Sequence, residues 1–173
     1  MACNVEIKAR LTDRDAVEAR AAQLSDSGPA LIEQDDTFYP SATGRLKLRR
    51  FADGSGELIY YERDDTAGPK GSFYLVTPQS DPDSLDASLQ HAIGLRGRVR
   101  KQRTLYLIGR TRVHLDRVEH LGDHLELEVV MADGESLDHG VAEAERLCAL
   151  LGVAPDDLIE GAYIDLLDNL ARA

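Results

Sequence analysis

Residues 4–10, NVEIKAR, alternate strictly: Asn4, Glu6, Lys8 and Arg10 fall on one face of an extended chain, Val5, Ile7 and Ala9 on the other. The same period of two recurs. Arg45, Lys47 and Arg49 oppose Leu46 and Leu48; Lys101 and Arg103 share a face; Arg112, His114 and Asp116 oppose Val113 and Leu115; Glu126 and Glu128 oppose Leu125 and Leu127. This patterning predicts strands over 3–11, 34–39, 45–52, 57–63, 71–77, 98–107, 110–118 and 124–131, separated by turn signals at ADGSG (52–56), DDTAGPKG (64–71), Gly109 and LGD (121–123). The short connections imply mostly antiparallel pairing. Helical spacing of apolar residues predicts helices over 13–24, with Thr12 as N-cap, over 83–94, over 138–151 stopped by Gly152, and over 162–171 with Ile164, Leu167 and Leu170 as a core stripe. The chain reads as an α+β protein dominated by one antiparallel sheet.

A length of 173 residues suits one domain, 1–173, with a sizeable core, and 43% apolar with 29% charged residues suits a globular protein. No apolar run is long enough to span a bilayer and no signal-peptide pattern opens the chain, so the expected setting is the cytoplasm, away from membranes. Cys3 and Cys148 make neither a disulfide framework nor a zinc pattern, and Cys148 reads as a small core residue. The net charge of −11 argues against nucleic acid as partner, because a polyanion needs a positive field. The basic runs must therefore be concentrated where the rest of the surface is not.

A sheet ordinarily buries its apolar face and wets its polar one, so a half-exposed sheet with a solvated ionic face is one reading. Two features favour another. The signs are segregated by strand, whereas a solubility surface intersperses them. Eight strands are also enough to close a barrel. If the apolar faces pack outward against helices, the ionic faces line a lumen. Such a lumen needs water and an anionic guest, because an uncompensated buried charge is very unfavourable. Lys8, Arg45, Lys47, Arg49, Arg63, Lys101, Arg103 and Arg112 suit a chain of phosphates, arginine by its bidentate fork and lysine as a point charge. Glu6, Asp116, Glu126 and Glu128 would repel phosphate unless a hard divalent cation bridges the two, and Mg2+ binds in that way.

The ordered blocks VEIKAR, QDDTFYP (34–40), GRLKLRRF (44–51), ELIYYER (57–63), VRKQRTLY (99–106) and RVHLDRVEHLGDHLELEVV (112–130) resemble the CYTH superfamily, the triphosphate tunnel metalloenzymes, in its class IV adenylate cyclase-like branch. The resemblance covers nearly the whole chain. It implies a closed tunnel of eight antiparallel strands flanked by helices, a triphosphate held by inward basic residues, and Mg2+ or Mn2+ held by acids of the first and last tunnel strands. Glu6 and Glu126 are then the first metal ligands, with Glu128 and Asp116 completing or orienting the site, and Lys8, Glu6 and Glu126 the catalytic set. One position departs from the ExExK signature, which here reads Asn4-Val5-Glu6-Ile7-Lys8. An amide oxygen can coordinate a metal but brings no charge.

Three functions follow. A class IV-like adenylate cyclase, a lyase, would convert ATP to cyclic AMP and pyrophosphate. A hydrolase would cleave tripolyphosphate, thiamine triphosphate or a nucleoside triphosphate. A non-catalytic module would only bind such a triphosphate. The resemblance tilts toward the cyclase. A monomer or a homodimer fits equally. His120 and His124 read as exposed turn residues rather than zinc ligands, and His114 as a phosphate contact or as orienting Asp116. Tyr60, Tyr61, Tyr74 and Tyr106 read as packing residues, with contact to a base open for one or two that no sequence rule selects, and Asp35-Asp36 as a solvated strand end.

Overall fold

The computed structural model describes residues 2–173. Eight strands, β1 (Ala2–Arg10), β2 (Ser27–Tyr39), β3 (Arg45–Arg50), β4 (Gly56–Arg63), β5 (Lys70–Gln79), β6 (Gly97–Ile108), β7 (Thr111–Val118) and β8 (Gly122–Val130), are interleaved with α1 (Arg14–Leu24), α2 (Pro82–Ile93), α3 (Leu137–Leu151) and α4 (Tyr163–Arg172). Every neighbouring pair is antiparallel, and the strands close in the order β1-β5-β4-β3-β2-β6-β7-β8. Closure comes from β1, which pairs with β5 on one edge and β8 on the other. No edge is left around the ring, which removes the usual route to strand-by-strand association.

The alternation places the ionic side chains inside. On the outer face, Val5 and Ile7 of β1, Val113 and Leu115 of β7, and Leu125 and Leu127 of β8 are buried beneath Val17 and Ala21 of α1 and Ala144, Leu147 and Leu151 of α3. Cys148 joins this cluster, and both cysteines are free thiols. Helix α3 approaches closely because Gly140 has no side chain: a Cβ there would lie 2.6 Å from Val5 Cγ2 and 2.5 Å from Met131 Sδ. A second cluster, Phe38, Val99, Val118, Ala162, Tyr163 and Ile164, fills one end of the barrel under the start of α4.

Several expected boundaries shift. Strand β2 begins at Ser27 rather than near Gln34, because its first half pairs with β6 through a register shift between Ser27 and Ala30. The N-cap of α1 is Asp13, not Thr12; its carboxylate accepts from the Ala16 amide. The stripe expected of α4 runs out: Ile164 is buried, Leu167 half-buried, and Leu170 exposed. Among the described residues no helix is long and apolar enough to cross a membrane.

Because the core lies outside the sheet, Leu127→Ala should behave as a core truncation. We expect a loss of about 2–5 kcal/mol in urea denaturation. An unchanged midpoint would contradict an outward-facing core.

Candidate active site in the barrel lumen

Two aspartates organise the cations. Asp36 of β2 accepts from Lys47 Nζ at 2.8 Å, from Arg49 Nε at 2.7 Å and from Arg49 Nη2 at 2.8 Å. Asp116 of β7 repeats the arrangement with Lys101 Nζ at 2.9 Å and with Arg103 Nε and Nη2 at 2.7 Å each. In both cases a strand carries Lys and Arg two residues apart, and a neighbouring strand supplies one carboxylate opposite the Arg. Burial alone would raise both aspartate pKa values, yet the adjoining cations hold both well below the carboxylate range. Each Arg therefore presents a guanidinium whose orientation is already set. Asp36 is a buried lumen anchor, not the solvated strand end expected from the sequence. The signal was its parity with Phe38 and Gln34 along β2.

On the β1–β8 side the charges cluster differently. Glu6 sits directly opposite Glu128, and Lys8 opposite Glu126. Two like charges directly opposite on one face destabilise a sheet unless a cation intervenes. Arg63 supplies one, donating to Glu6 at 2.6 Å. Even so, burial and the charges of Glu128 and Glu126 push the Glu6 pKa up. Glu126 takes Arg103 Nη2 at 2.5 Å and lies 3.4 Å from Lys8; burial opposes its charge, but Lys8, His114, Lys101 and Arg103 hold its pKa well down. Lys8 is pushed down to about 8, chiefly by burial and then by its cationic neighbours Arg63 and Lys101, against the pull of Glu126. Arg112 approaches Glu128 at 3.6 Å.

These groups enclose a cavity of about 320 Å3 whose lining includes Glu6, Lys8, Asp36, Lys47, Arg49, Arg63, Lys101, Arg103, Arg112, Glu126 and Glu128. Two expected site residues do not reach it. Arg45 is held at the α4 end by Asp65 and Asp165, each at 2.6 Å. Asp116 is fully buried beneath Lys101, Arg103 and Tyr163, and its carboxylate oxygens already receive these donors. The opposite wall is different in kind. Ile59 and Tyr61 of β4 and Tyr74 and Val76 of β5, paired across the two strands, line the same cavity. Tyr61 and Tyr74 are therefore lumen residues rather than packing residues, whereas Tyr106 lies in the core.

Tyr163, the first residue of α4, enters from the closed end, and its function was not legible beforehand because the pattern of α4 shows only an amphipathic helix. Its hydroxyl donates to Asp116 at 3.0 Å, and its ring faces Lys8 Nζ at 4.0 Å. His124, expected to be exposed, is buried edge-on against this ring. His120 is exposed as expected.

The donor set fits a divalent cation. Asn4 Oδ1 and His114 Nδ1 are buried and have no hydrogen-bond partner among the described residues. Asn4 is on β1 with Glu6, and His114 lies on β7 directly opposite Glu126 of β8. Unsatisfied buried lone pairs beside paired acids are the chemistry that a metal ion would complete.

Similar proteins support the architecture. A curated relative, adenylate cyclase CyaB of Aeromonas hydrophila, is 25% identical over 177 residues, covering 95% of this chain and 88% of that one. Among solved structures, PH1012 of Pyrococcus horikoshii superposes with a TM-score of 0.82 at 22% identity, covering 94% of this chain and 98% of that one. HpAC1 of Hippeastrum, an adenylyl cyclase candidate with a dominant triphosphatase activity, superposes at 0.69 with 16% identity, covering 96% and 95%. The CYTH domain model matches residues 2–163, from the first described strand to the tyrosine that enters the lumen, and the chain belongs to the CYTH domain family.

Proposed function

We propose that this chain is a metal-dependent class IV-like adenylate cyclase, converting ATP to cyclic AMP and pyrophosphate. The family acts on small-molecule triphosphates as adenylate cyclases or triphosphatases, and the curated relative carries the cyclase name. The observation that carries the reading is the pair of aspartate-held Lys/Arg sets facing one cavity. Their charges act on one another: Lys101 depresses Lys47, and Arg103 opposes Arg49. An anionic chain between them would relieve that repulsion. The apolar strip of Ile59, Tyr61, Tyr74 and Val76 supports a triphosphate with an organic head group over bare tripolyphosphate.

In this reading Arg49 and Arg103 grip phosphate oxygens by their forks, and Lys47 and Lys101 add point charges. Asp36 and Asp116 position them without touching substrate. The ribose 3′ oxygen attacks the α-phosphorus as the bond from that phosphorus to the pyrophosphate oxygen breaks. Arg63 and Lys8 would stabilise the charge that develops on the leaving group. Mg2+ or Mn2+ held by Glu6, Glu126 and Glu128, with the Asn4 amide beside them, would lower the pKa of the attacking hydroxyl and offset leaving-group charge. Arg45 serves to anchor α4, and Arg112 to meet an outer phosphate.

Hydrolysis of the terminal phosphate is the second reading. It is favoured by Lys8, whose pKa of about 8 lets a buried amine orient water beside Glu126. The purified protein should be assayed with ATP, tripolyphosphate and thiamine triphosphate in the presence of Mg2+ or Mn2+. Cyclic AMP with pyrophosphate is the expected product, and Glu126→Gln should lower kcat about 100-fold or more. Orthophosphate without cyclic AMP would replace the cyclase with the hydrolase. No product from any substrate, with binding retained, would leave only a binding module.

Lys47 predicts a pH dependence. Burial, Arg49 and Lys101 push its pKa down to about 8 against the attraction of Asp36, and the rings of Phe38 and Tyr61 flank it. As pH rises through 8 it loses its charge, so KM for the triphosphate should rise several-fold between about pH 7 and 9. Lys47→Arg stays charged throughout this range and should flatten that rise, leaving a residue from Lys8. The same KM profile in both proteins would count against Lys47 as a phosphate contact.

A further inference from the structure

His114 shares a face of β7 with Arg112 and Asp116, and the reaction above gives it no task. It lies on β7 directly opposite Glu126, with Glu128 diagonal to it. Its side chain is 4% exposed, and Nδ1 is 3.8 Å from Glu126 Oε2 and 3.8 Å from Glu128 Oε1. Nδ1 has no hydrogen-bond partner among the described residues. Both distances are too long for hydrogen bonds and too short to admit a water between the groups. The three side chains have ligand atoms within 4.8 Å of one another. Donor atoms on opposite sides of one divalent ion lie about 4 Å apart, so a small side-chain adjustment brings all three to one ion.

We propose that His114 Nδ1 is a direct metal ligand, making with Glu126 and Glu128 a mixed nitrogen–oxygen site that prefers Mn2+ to Mg2+. Mg2+ is a hard ion that takes oxygen ligands and keeps its waters, whereas imidazole suits later divalent metals. Replacing one oxygen by nitrogen therefore moves the preference away from Mg2+. It also compensates for Asn4: where the opening strand offers an amide in place of a carboxylate, β7 supplies a ring nitrogen. Arg103, donating to Glu126 Oε2 at 2.5 Å, is the supporting hydrogen bond that a ligating carboxylate keeps. Lys8, Arg63 and Lys101 around Glu126 and Arg112 beside Glu128 are cations that the ion must displace or share.

The inference rests on the metal-assisted reading above. Its test contains no triphosphate, so the two fail separately. The full-length protein is titrated with Mn2+ and observed by electron paramagnetic resonance, with electron spin-echo modulation to detect directly bound nitrogen. The expected result is bound Mn2+ with nitrogen modulation, displaced by Mg2+ only at a concentration at least about tenfold higher. His114→Gln should lose the modulation and at least about tenfold in Mn2+ affinity, with Mg2+ affinity changed less than about threefold. Should the variant not fold, as read by circular dichroism, the wild-type spectrum decides. Among the described residues no other histidine lies within 4.0 Å of Glu126 or Glu128. No bound Mn2+, bound Mn2+ without nitrogen, or an unchanged Mn2+-over-Mg2+ preference in a folded His114→Gln variant would overturn the proposal.

Discussion

Asp116 accepts from Lys101, Arg103 and Tyr163 while fully shielded from water. A carboxylate so placed is tolerable only because cations surround it, and those cations are tolerable only because it is there. Asp36 does the same for Lys47 and Arg49. The rest of the molecule follows from this mutual dependence. A closed ring brings the strands carrying the two sets to face one cavity. The helices cover the outer apolar faces so that the ionic faces can turn inward. The cations lining the cavity outnumber its carboxylates, within a chain whose net charge is −11.

The lumen has two halves with different chemistry. The strands β1, β2, β3, β6, β7 and β8 contribute most of the acids and bases, whereas β4 and β5, apart from Glu57, Arg63 and Ser72, contribute aromatic and aliphatic surface. On the proposed reading, phosphate binding belongs to the first half and recognition of an organic head group to the second. Tyr163 links the site to the C-terminal helix: it donates to Asp116 and faces Lys8, so the position of α4 and the orientation of the β6 cations are coupled. Arg45 reinforces the coupling from the other side through Asp165.

Much of this was legible in the sequence because period two is an unambiguous code for face. Once Arg45, Lys47 and Arg49 alternate with leucines, their shared direction is determined, and the recurrence in the other strands made an inward ionic face the consistent solution. The alternation could not say which carboxylate meets which cation. That depends on register, so Asp36 passed for a solvated end and Asp116 for a metal ligand, although the structure gives both the same anchoring geometry. Tyr163 was invisible for another reason: it acts from the end of a helix, where no period marks its direction. The early half of β2 was missed because its pattern breaks at the register shift near Ser27. Arg45 shares parity with its neighbours, yet it sits where the barrel meets α4 and finds acids there instead of the cavity.

A cationic lumen preorganised in this way would hold a chain of phosphates. Calorimetric titration of the metal-free protein with orthophosphate, pyrophosphate and tripolyphosphate tests it directly. Affinity should rise steeply with each added phosphate, as successive groups engage the β3 and β6 cations, and should weaken with added salt. Equal affinities for the three anions, or no measurable binding of the longest, would contradict it.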